Sequence, residues 1–365
     1  MKKPVAIDLF SGAGGLSEGF IQAGFFVAAS VETNRYAAAT QQRNHAYRHH
    51  YRTDVVCGDV RSVPSARLAE TCARAGAPRP HVVMGGPPCH GFSRSNMKTR
   101  NWDNPANHLY RDFLRVVREL SPPVVVIENV ADLTRFEGGA VAEEIEATLR
   151  EMGREVHREV LDAVRCGVPQ RRRRVFFVAV QKGMKFEFSD GGGEPVPLWS
   201  AVSDLPTLRN GHSVDEMHYG TVQPLTLYES HRRNGKPTVV NNLVSRNNDL
   251  VIERYRHIPQ GGNWESIPDD LMQNYADRAR CHHWIYRRLP ENEPSITIMN
   301  FRKNMLIHPR EDRGLSVREA ARIQSFDDKY VFCGPLMHQQ QQVADAVPPL
   351  LARAVARAVR RTLGI

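Results

Sequence analysis

Through the first 180 residues, short apolar runs recur between stretches of helical spacing: Val5-Phe10, Phe26-Val31, Val55-Val56, His81-Met84, Val124-Ile127, Glu155-Leu161 and Val175-Val180. Runs this short, bounded by Gly, Pro or charged residues, predict strands, and their alternation with helices predicts an α/β, Rossmann-like parallel sheet covered on both faces. Between the first two runs Leu16, Phe20 and Ala23 recur at helical spacing and stop at Gly24, a C-cap residue type. From Phe188 to Pro294 the periodicity weakens, Asn, Gly, Pro and Arg take over, and Gly191-Gly192-Gly193-Glu194-Pro195 reads as a linker at its entry. Val317-Ile323 and Pro349-Leu363 read again as helices. The pattern predicts a large domain over 1–187, a smaller one over 188–294, and a segment, 295–365, returning to complete the first.

Composition narrows the function classes. The 365 residues carry a net charge of +9, largely from arginine, which suits a polyanionic partner without requiring one. Six cysteines, at 57, 72, 89, 166, 281 and 333, show no Cys-x-x-Cys pair, so they read as reduced thiols and not as a disulfide frame or zinc site. In Cys281-His282-His283 adjacent side chains point different ways, which argues against a metal site there. No apolar run approaches about 18 residues and no signal-peptide pattern opens the chain, so a soluble, cytoplasmic protein without a membrane partner is expected; a monomer is expected as well.

The candidate chemistry sits at strand ends. Gly85-Gly86-Pro87-Pro88-Cys89-His90-Gly91-Phe92-Ser93 follows the fourth apolar run, and two prolines that fix φ present the Cys89 thiol at the carboxyl end of a strand. Open α/β sheets bind ligands there. Asp8-Leu9-Phe10-Ser11-Gly12-Ala13-Gly14-Gly15 places a glycine-rich turn before the first helix, where backbone N–H groups face a ligand. Glu32 ends the second strand, where a carboxylate can accept from ribose hydroxyls, and Asp59 follows the third, where it can accept from an adenine amino group. Glu128-Asn129-Val130 closes the Val124-Ile127 strand. Gln170-Arg171-Arg172-Arg173-Arg174 precedes the last strand, and alternation would send Arg172 and Arg174 to one face. A thiol, a carboxylate and arginines at the ends of one sheet suggest a site that handles an electron-poor ring.

Taken in order, Asp8-Leu9-Phe10 with Gly14-Gly15, Gly86-Pro87-Pro88-Cys89, Glu128-Asn129-Val130, Gln170 with Arg172 and Arg174, Arg318-Glu319-Ala320-Ala321-Arg322-Ile323-Gln324 and Val347-Pro348-Pro349 resemble the cytosine-C5 DNA methyltransferase family. The likeness runs from residue 4 to about 355. It implies S-adenosylmethionine as methyl donor, double-stranded DNA as substrate, and target recognition within 188–294. It also implies a catalytic set of Cys89, Glu128, Arg172 and Arg174, and a cofactor set of Phe10, Gly12, Gly14, Glu32, Asp59, Val60, Pro88, Leu109 and Asp345. C5 of cytosine attacks a methyl group only after a nucleophile adds to C6. Cys89 suits that addition, Glu128 in protonated form would donate to N3, and Arg172 and Arg174 would hold the base and keep the thiol ionised. C6 is unreachable in a duplex, so the base must flip, and Ser93 to Arg100 suits a loop closing over it.

Three positions depart from the family pattern: His90 where glutamine is usual, Thr33 where an aromatic is common, and Ala344-Asp345 in place of Gly-Asn. The 188–294 segment and its neighbourhood offer Arg232, Arg233, Arg278, Arg280, Trp284, Tyr286, Arg287 and Arg288 for phosphate or base contacts. A restriction or phage-defence partner fits this family. A tRNA methyltransferase of the same chemistry stands as the alternative, although the Cys-Phe-Thr triplet of that branch is absent. An amine N-methyltransferase would need an aromatic where Cys89 ends the Pro-Pro turn, and a non-catalytic DNA-binding regulator would not need the retained site residues.

Overall fold

The computed structural model describes residues 3–48, 52–88, 108–189, 191–221, 224–275, 284–303 and 305–365. In chain order its elements are β1 (Val5–Leu9), α1 (Gly15–Gln22), β2 (Phe26–Glu32), α2 (Arg35–Arg48), β3 (Asp54–Cys57), α3 (Ser65–Arg74), β4 (Val82–Gly85), α4 (Leu109–Leu120), β5 (Val124–Val130), α5 (Ala140–Glu151), β6 (Arg154–Asp162), β7 (Arg173–Gln181), α6 (Trp199–Val202), β8 (Met217–His218), α7 (Leu227–Arg232), β9 (Thr238–Val239), α8 (Asp249–Arg256), α9 (Val317–Ile323), α10 (Leu336–Asp345) and α11 (Pro349–Thr362). The chain divides into two compact units, one of residues 1–166, 173–191 and 347–365, the other of 167–172 and 192–346.

The first unit is built on a sheet of order β3-β2-β1-β4-β5-β7-β6. Strands β1, β4 and most of β5 are buried on both faces, which is why Val82–Val83 and Val124–Ile127 read as unbroken apolar runs and not as alternation. The strands through β5 pair in parallel, as expected of a Rossmann-like sheet, while β7 pairs antiparallel with both β5 and β6. Between β6 and β7 the only regular structure is the short 3-10 turn Ala163–Cys166, and a parallel return needs a crossover of roughly a dozen residues or more.

The strand order reverses between β1 and β4, so the turns after these two strands open side by side. Helix α1 starts after Gly14, which takes φ of +82°, and is stopped by Gly24 at φ of +95°. Its Gly19 meets α11 closely: a Cβ there would lie 2.3 Å from Ala352 Cβ and 2.7 Å from the Pro349 carbonyl.

Among its described residues the second unit has little sheet, the β8–β9 pair and a few isolated bridges. Val251, Tyr255, Ile258, Ile267, Met272, Tyr286 and Ile307 form one apolar cluster. Elsewhere buried arginines organise it: Arg322 bonds both oxygens of Asp328 at 2.7 Å and reaches Asp204 at 3.1 Å, and Arg313 pairs with Glu319 at 2.7 Å. Helix α9 is capped reciprocally by Ser316 and Glu319. Among the described residues no helix is long and apolar enough to cross a membrane.

Candidate active site

The end of β5 carries the most ordered chemistry. Glu128 and Arg174 face each other, Arg174 Nε lying 3.0 Å from Glu128 Oε1 with both side chains about one-tenth exposed, 11% and 11%. Antiparallel pairing of β5 with β7 creates this contact, because it brings the start of β7 beside the end of β5, with Arg174 opposite Val130. The β4 turn is fitted to the same carboxylate. A Cβ on Gly86 would sit 2.9 Å from Glu128 Oε2, and one on Gly85 would sit 2.2 Å from the Leu9 carbonyl. Asn129 donates from Nδ2 to the Pro87 carbonyl at 3.0 Å, tying the Pro-Pro turn to β5. Pro87 is buried and Pro88 half-buried. Cys89, His90 and the proposed closing loop Ser93 to Arg100 lie outside the described residues, as do Arg278, Arg280 and the Cys281-His282-His283 cluster.

The glycine-rich turn after β1 is braced from two sides. Glu32 Oε2 accepts from Gly12 N at 2.8 Å, and its Oε1 accepts from Asn34 N at 2.7 Å. Gln41, in α2, donates to Ser11 Oγ and to the Gly12 carbonyl, each at 2.7 Å. Phe10 adopts φ of +55°, a strained conformation for an aromatic residue, and Gly12 takes +53° with open space where a Cβ would stand. Beneath the turn, Asp8 is fully buried; Ser17 Oγ donates to its Oδ2 at 2.6 Å, while Oδ1 has no hydrogen-bond partner among the described residues. Burial pushes the Asp8 carboxyl up to about 7, the Ser17 hydrogen bonds oppose the rise, and the charges of Glu32 and Glu128 add to it.

Asp59 caps the turn Val60–Ser62, accepting from Arg61 N at 2.9 Å, and the Arg61 guanidinium grips the same carboxylate. That guanidinium holds Asp59 below the usual carboxylate range. An adenine amino group would therefore compete with Arg61 for Asp59. Val60 is buried and Leu109, at the start of α4, half-buried. Thr33 bonds Glu32 weakly, at 3.4 Å.

Arg172 and Asp345 belong to the second unit. Strand β7 begins at Arg173, so the same-face relation expected of Arg172 and Arg174 does not arise. Instead Arg172 is buried and donates to the carbonyls of Ala344 and Ala346, at 3.1 and 3.0 Å, gripping the loop on both sides of Asp345. Asp345 accepts from Gln341 at 2.8 Å. Sequence reasoning quoted Gly86 and Asp8 within motifs without giving either a role of its own, and it did not single out Gln41. Gly86 was visible as a second consecutive glycine before the prolines, whereas nothing local marks Gln41.

Residues 5–361 match the model of the C-5 cytosine-specific DNA methylase family. The chain is 32% identical to the type II methyltransferase M1.HphI of Haemophilus parahaemolyticus, covering 97% of this chain and 86% of that protein. It is 29% identical to M.DdeI of Desulfomicrobium norvegicum, covering 97% and 88%. In fold it is similar to a putative DNA modification methyltransferase encoded within an Escherichia coli prophage, with a TM-score of 0.77 at 23% identity over the full length of both chains.

Proposed function

From the chain's membership of the C-5 cytosine-specific DNA methylase family, we propose that it methylates C5 of a cytosine flipped out of duplex DNA, with S-adenosylmethionine as donor. It acts at defined sequences, as a cytoplasmic monomer in a bacterial restriction-modification or phage-defence setting. The observation that carries the reading is the Glu128–Arg174 pair set against Gly86 at the end of β5. It puts a carboxyl group beside the turn that ends in Cys89.

The β1 side of the sheet fits the donor. Gly12 leaves room in the turn before α1, and the half-exposed Glu32 carboxylate, with lone pairs beyond those used by Gly12 and Asn34, suits ribose hydroxyls. Phe10, Asp59, Val60, Pro88 and Leu109 complete the binding set on this unit; Asp345, the remaining member of the set, belongs to the second unit, in a loop that Arg172 holds in shape. When bound, the donor supplies an electrophilic methyl group.

The chain's own residues do the rest. The Cys89 thiolate adds to C6, which makes C5 nucleophilic. Electron density moves toward N3, where Glu128 donates a hydrogen bond in its protonated form. Before the base arrives Arg174 pairs with the ionised Glu128 and fixes its direction; as the base enters, Glu128 takes a proton from solvent, and N3 meets an oriented hydrogen-bond donor. Once C5 has taken the methyl group, a water takes the C5 proton and the C6–Sγ bond breaks, which restores the ring and frees the Cys89 thiolate. Arg172 acts through the 344–346 loop as a positioning residue.

Methyl transfer from labelled donor to duplex DNA, to tRNA and to no substrate tests this reading. Incorporation into DNA is expected. Cys89→Ser should lose turnover, and DNA carrying 5-fluorocytosine should trap the wild-type protein in a denaturation-resistant adduct. Incorporation into tRNA alone would overturn the reading.

A further inference from the structure

The arginines that sequence alone offers for DNA contact divide by burial. Arg232 pairs with Asp327 at 2.7 Å, and Arg233 with Asp204 at 2.7 Å. Arg288 donates to the carbonyls of Tyr255, Ile258, His308 and Glu311, while Tyr286 is fully buried. These four residues hold the second unit together. Trp284 and Arg287 do the opposite. Trp284 is 56% exposed, and the Arg287 guanidinium stands 5.8 Å from its ring centre. Arg287 makes no ion pair with a carboxylate among the described residues.

A second basic turn, at Arg302 and Lys303, precedes the bridge partner of Arg288. Arg288 and Ile307 form a parallel bridge, extended by Ile307 N to the Arg287 carbonyl at 2.9 Å and Leu289 N to the Ile307 carbonyl at 3.1 Å. Trp284 and Lys303 each lie four positions upstream of this bridge in the sequence. Tyr286 and Met305 pack in the same apolar cluster, which fixes both approaches. Phe301 is buried, and the turn closes through Met305 N to the Arg302 carbonyl at 3.2 Å, leaving Arg302 and Lys303 exposed. Tyr286, Asn300 and Met305 all take positive φ, at +51°, +36° and +50°. Asn300 suits the left-handed region, but Tyr286 and Met305 rarely adopt it, so their surroundings hold these two turns in shape.

We propose that Trp284, Arg287, Arg302 and Lys303 are the second unit's contact with the substrate duplex, Arg287 reading a guanine edge and Arg302 and Lys303 holding phosphates. The proposal rests on DNA being the substrate, as in the preceding reading. A guanidinium stacked on an aromatic ring is pre-oriented for bidentate hydrogen bonding to guanine O6 and N7, which a flexible ammonium cannot reproduce. Arg302 and Lys303, exposed and unstacked, offer charge without a fixed direction, which suits the backbone.

The test uses plasmid DNA methylated in a host lacking its own cytosine methylation. Bisulfite sequencing gives the wild-type target, and an oligonucleotide duplex carrying it serves for kinetics. Arg287→Lys keeps the charge; it should relax one base position, lowering discrimination there by about 10- to 100-fold while the salt slope is kept. Arg302→Ala and Lys303→Ala should each weaken all duplexes alike and reduce the salt slope by about one. Unchanged S-adenosylmethionine affinity checks that each variant is folded. A target profile and kcat/KM unaltered in both Arg287→Lys and Arg287→Ala, in a wild-type protein that methylates DNA, would overturn the proposal alone. Failure of the wild type to methylate any DNA overturns the preceding reading and this one with it.

Discussion

Arg174 Nε lies 3.0 Å from Glu128 Oε1, and this contact joins the last strand to enter the sheet with the one that ends beside the Pro-Pro turn. Removing one partner leaves the other charged and mostly buried, which costs about 3–5 kcal/mol. Arg174→Ala is therefore expected to lower stability more than the double variant Arg174→Leu/Glu128→Gln. Denaturant titration of the two singles and the double checks this. Glu128→Gln, which cannot deliver a proton to N3, is expected to lose about 10²- to 10⁴-fold in kcat and, because it leaves Arg174 without its carboxylate, to lower stability as the other single variant does.

Gly86→Ala tests the fit of the turn to the carboxylate. The new methyl would stand 2.9 Å from Glu128 Oε2, the end of a flexible side chain, so the carboxyl group moves and the backbone does not. A displacement of about 1 Å costs on the order of 10² in rate. We expect that loss in kcat, with a thermal midpoint and donor affinity close to wild type. An unaltered kcat would show that the position of Glu128 is not set by this contact.

Glu32→Ala separates the two halves of the site. It leaves Gly12 N without its acceptor and removes the group assigned to the ribose hydroxyls. Donor affinity, measured by calorimetry, should fall by about 1–3 kcal/mol, while binding to duplex DNA stays unchanged.

Asp8 makes stability depend on pH. Its folded carboxyl lies near 7, above the ordinary value of 3.8, so between these values the unfolded chain releases a proton that the folded chain keeps. Stability therefore falls as pH rises from about 4 to 7, by about 1.4 kcal/mol for each pH unit crossed, and then levels. Asp8→Asn retains an acceptor for Ser17 and removes this penalty. Its midpoint in calorimetry should rise relative to wild type at pH 8 and show little gain at pH 4. Equal gains at both pH values would place the effect elsewhere.

The strand positions were legible because buried central strands leave unbroken apolar runs between breakers, as at Val124–Ile127. Direction was not, since an apolar run reads alike both ways, and the antiparallel β7 is set by the length of the connection from β6. The members of the site were legible as motifs, but their duties were not. Arg172 and Arg174 look equivalent in sequence, yet one grips a carbonyl loop and the other a carboxylate. Arg287 and Arg288 are neighbours of the same type, one stacked beside an exposed Trp284 and the other surrounded by acceptors. Burial is decided by partners distant in the chain, which composition does not record. The Ser316-x-x-Glu319 capping box, by contrast, is a local signature readable without a structure.

The seating of α11 on Gly19 bears on how the protein is made. A helix near residue 352 fills the surface of one near residue 19, so the first unit lacks part of its core until nearly the whole chain has left the ribosome. Its early strands must wait through synthesis of the second unit with a bare helix face, the reverse of a domain that folds as it emerges. Contacts of such long sequence separation slow the final closure. A chain cut short before Pro349 would keep every strand of the sheet and still present an apolar groove suited to chaperones and proteases.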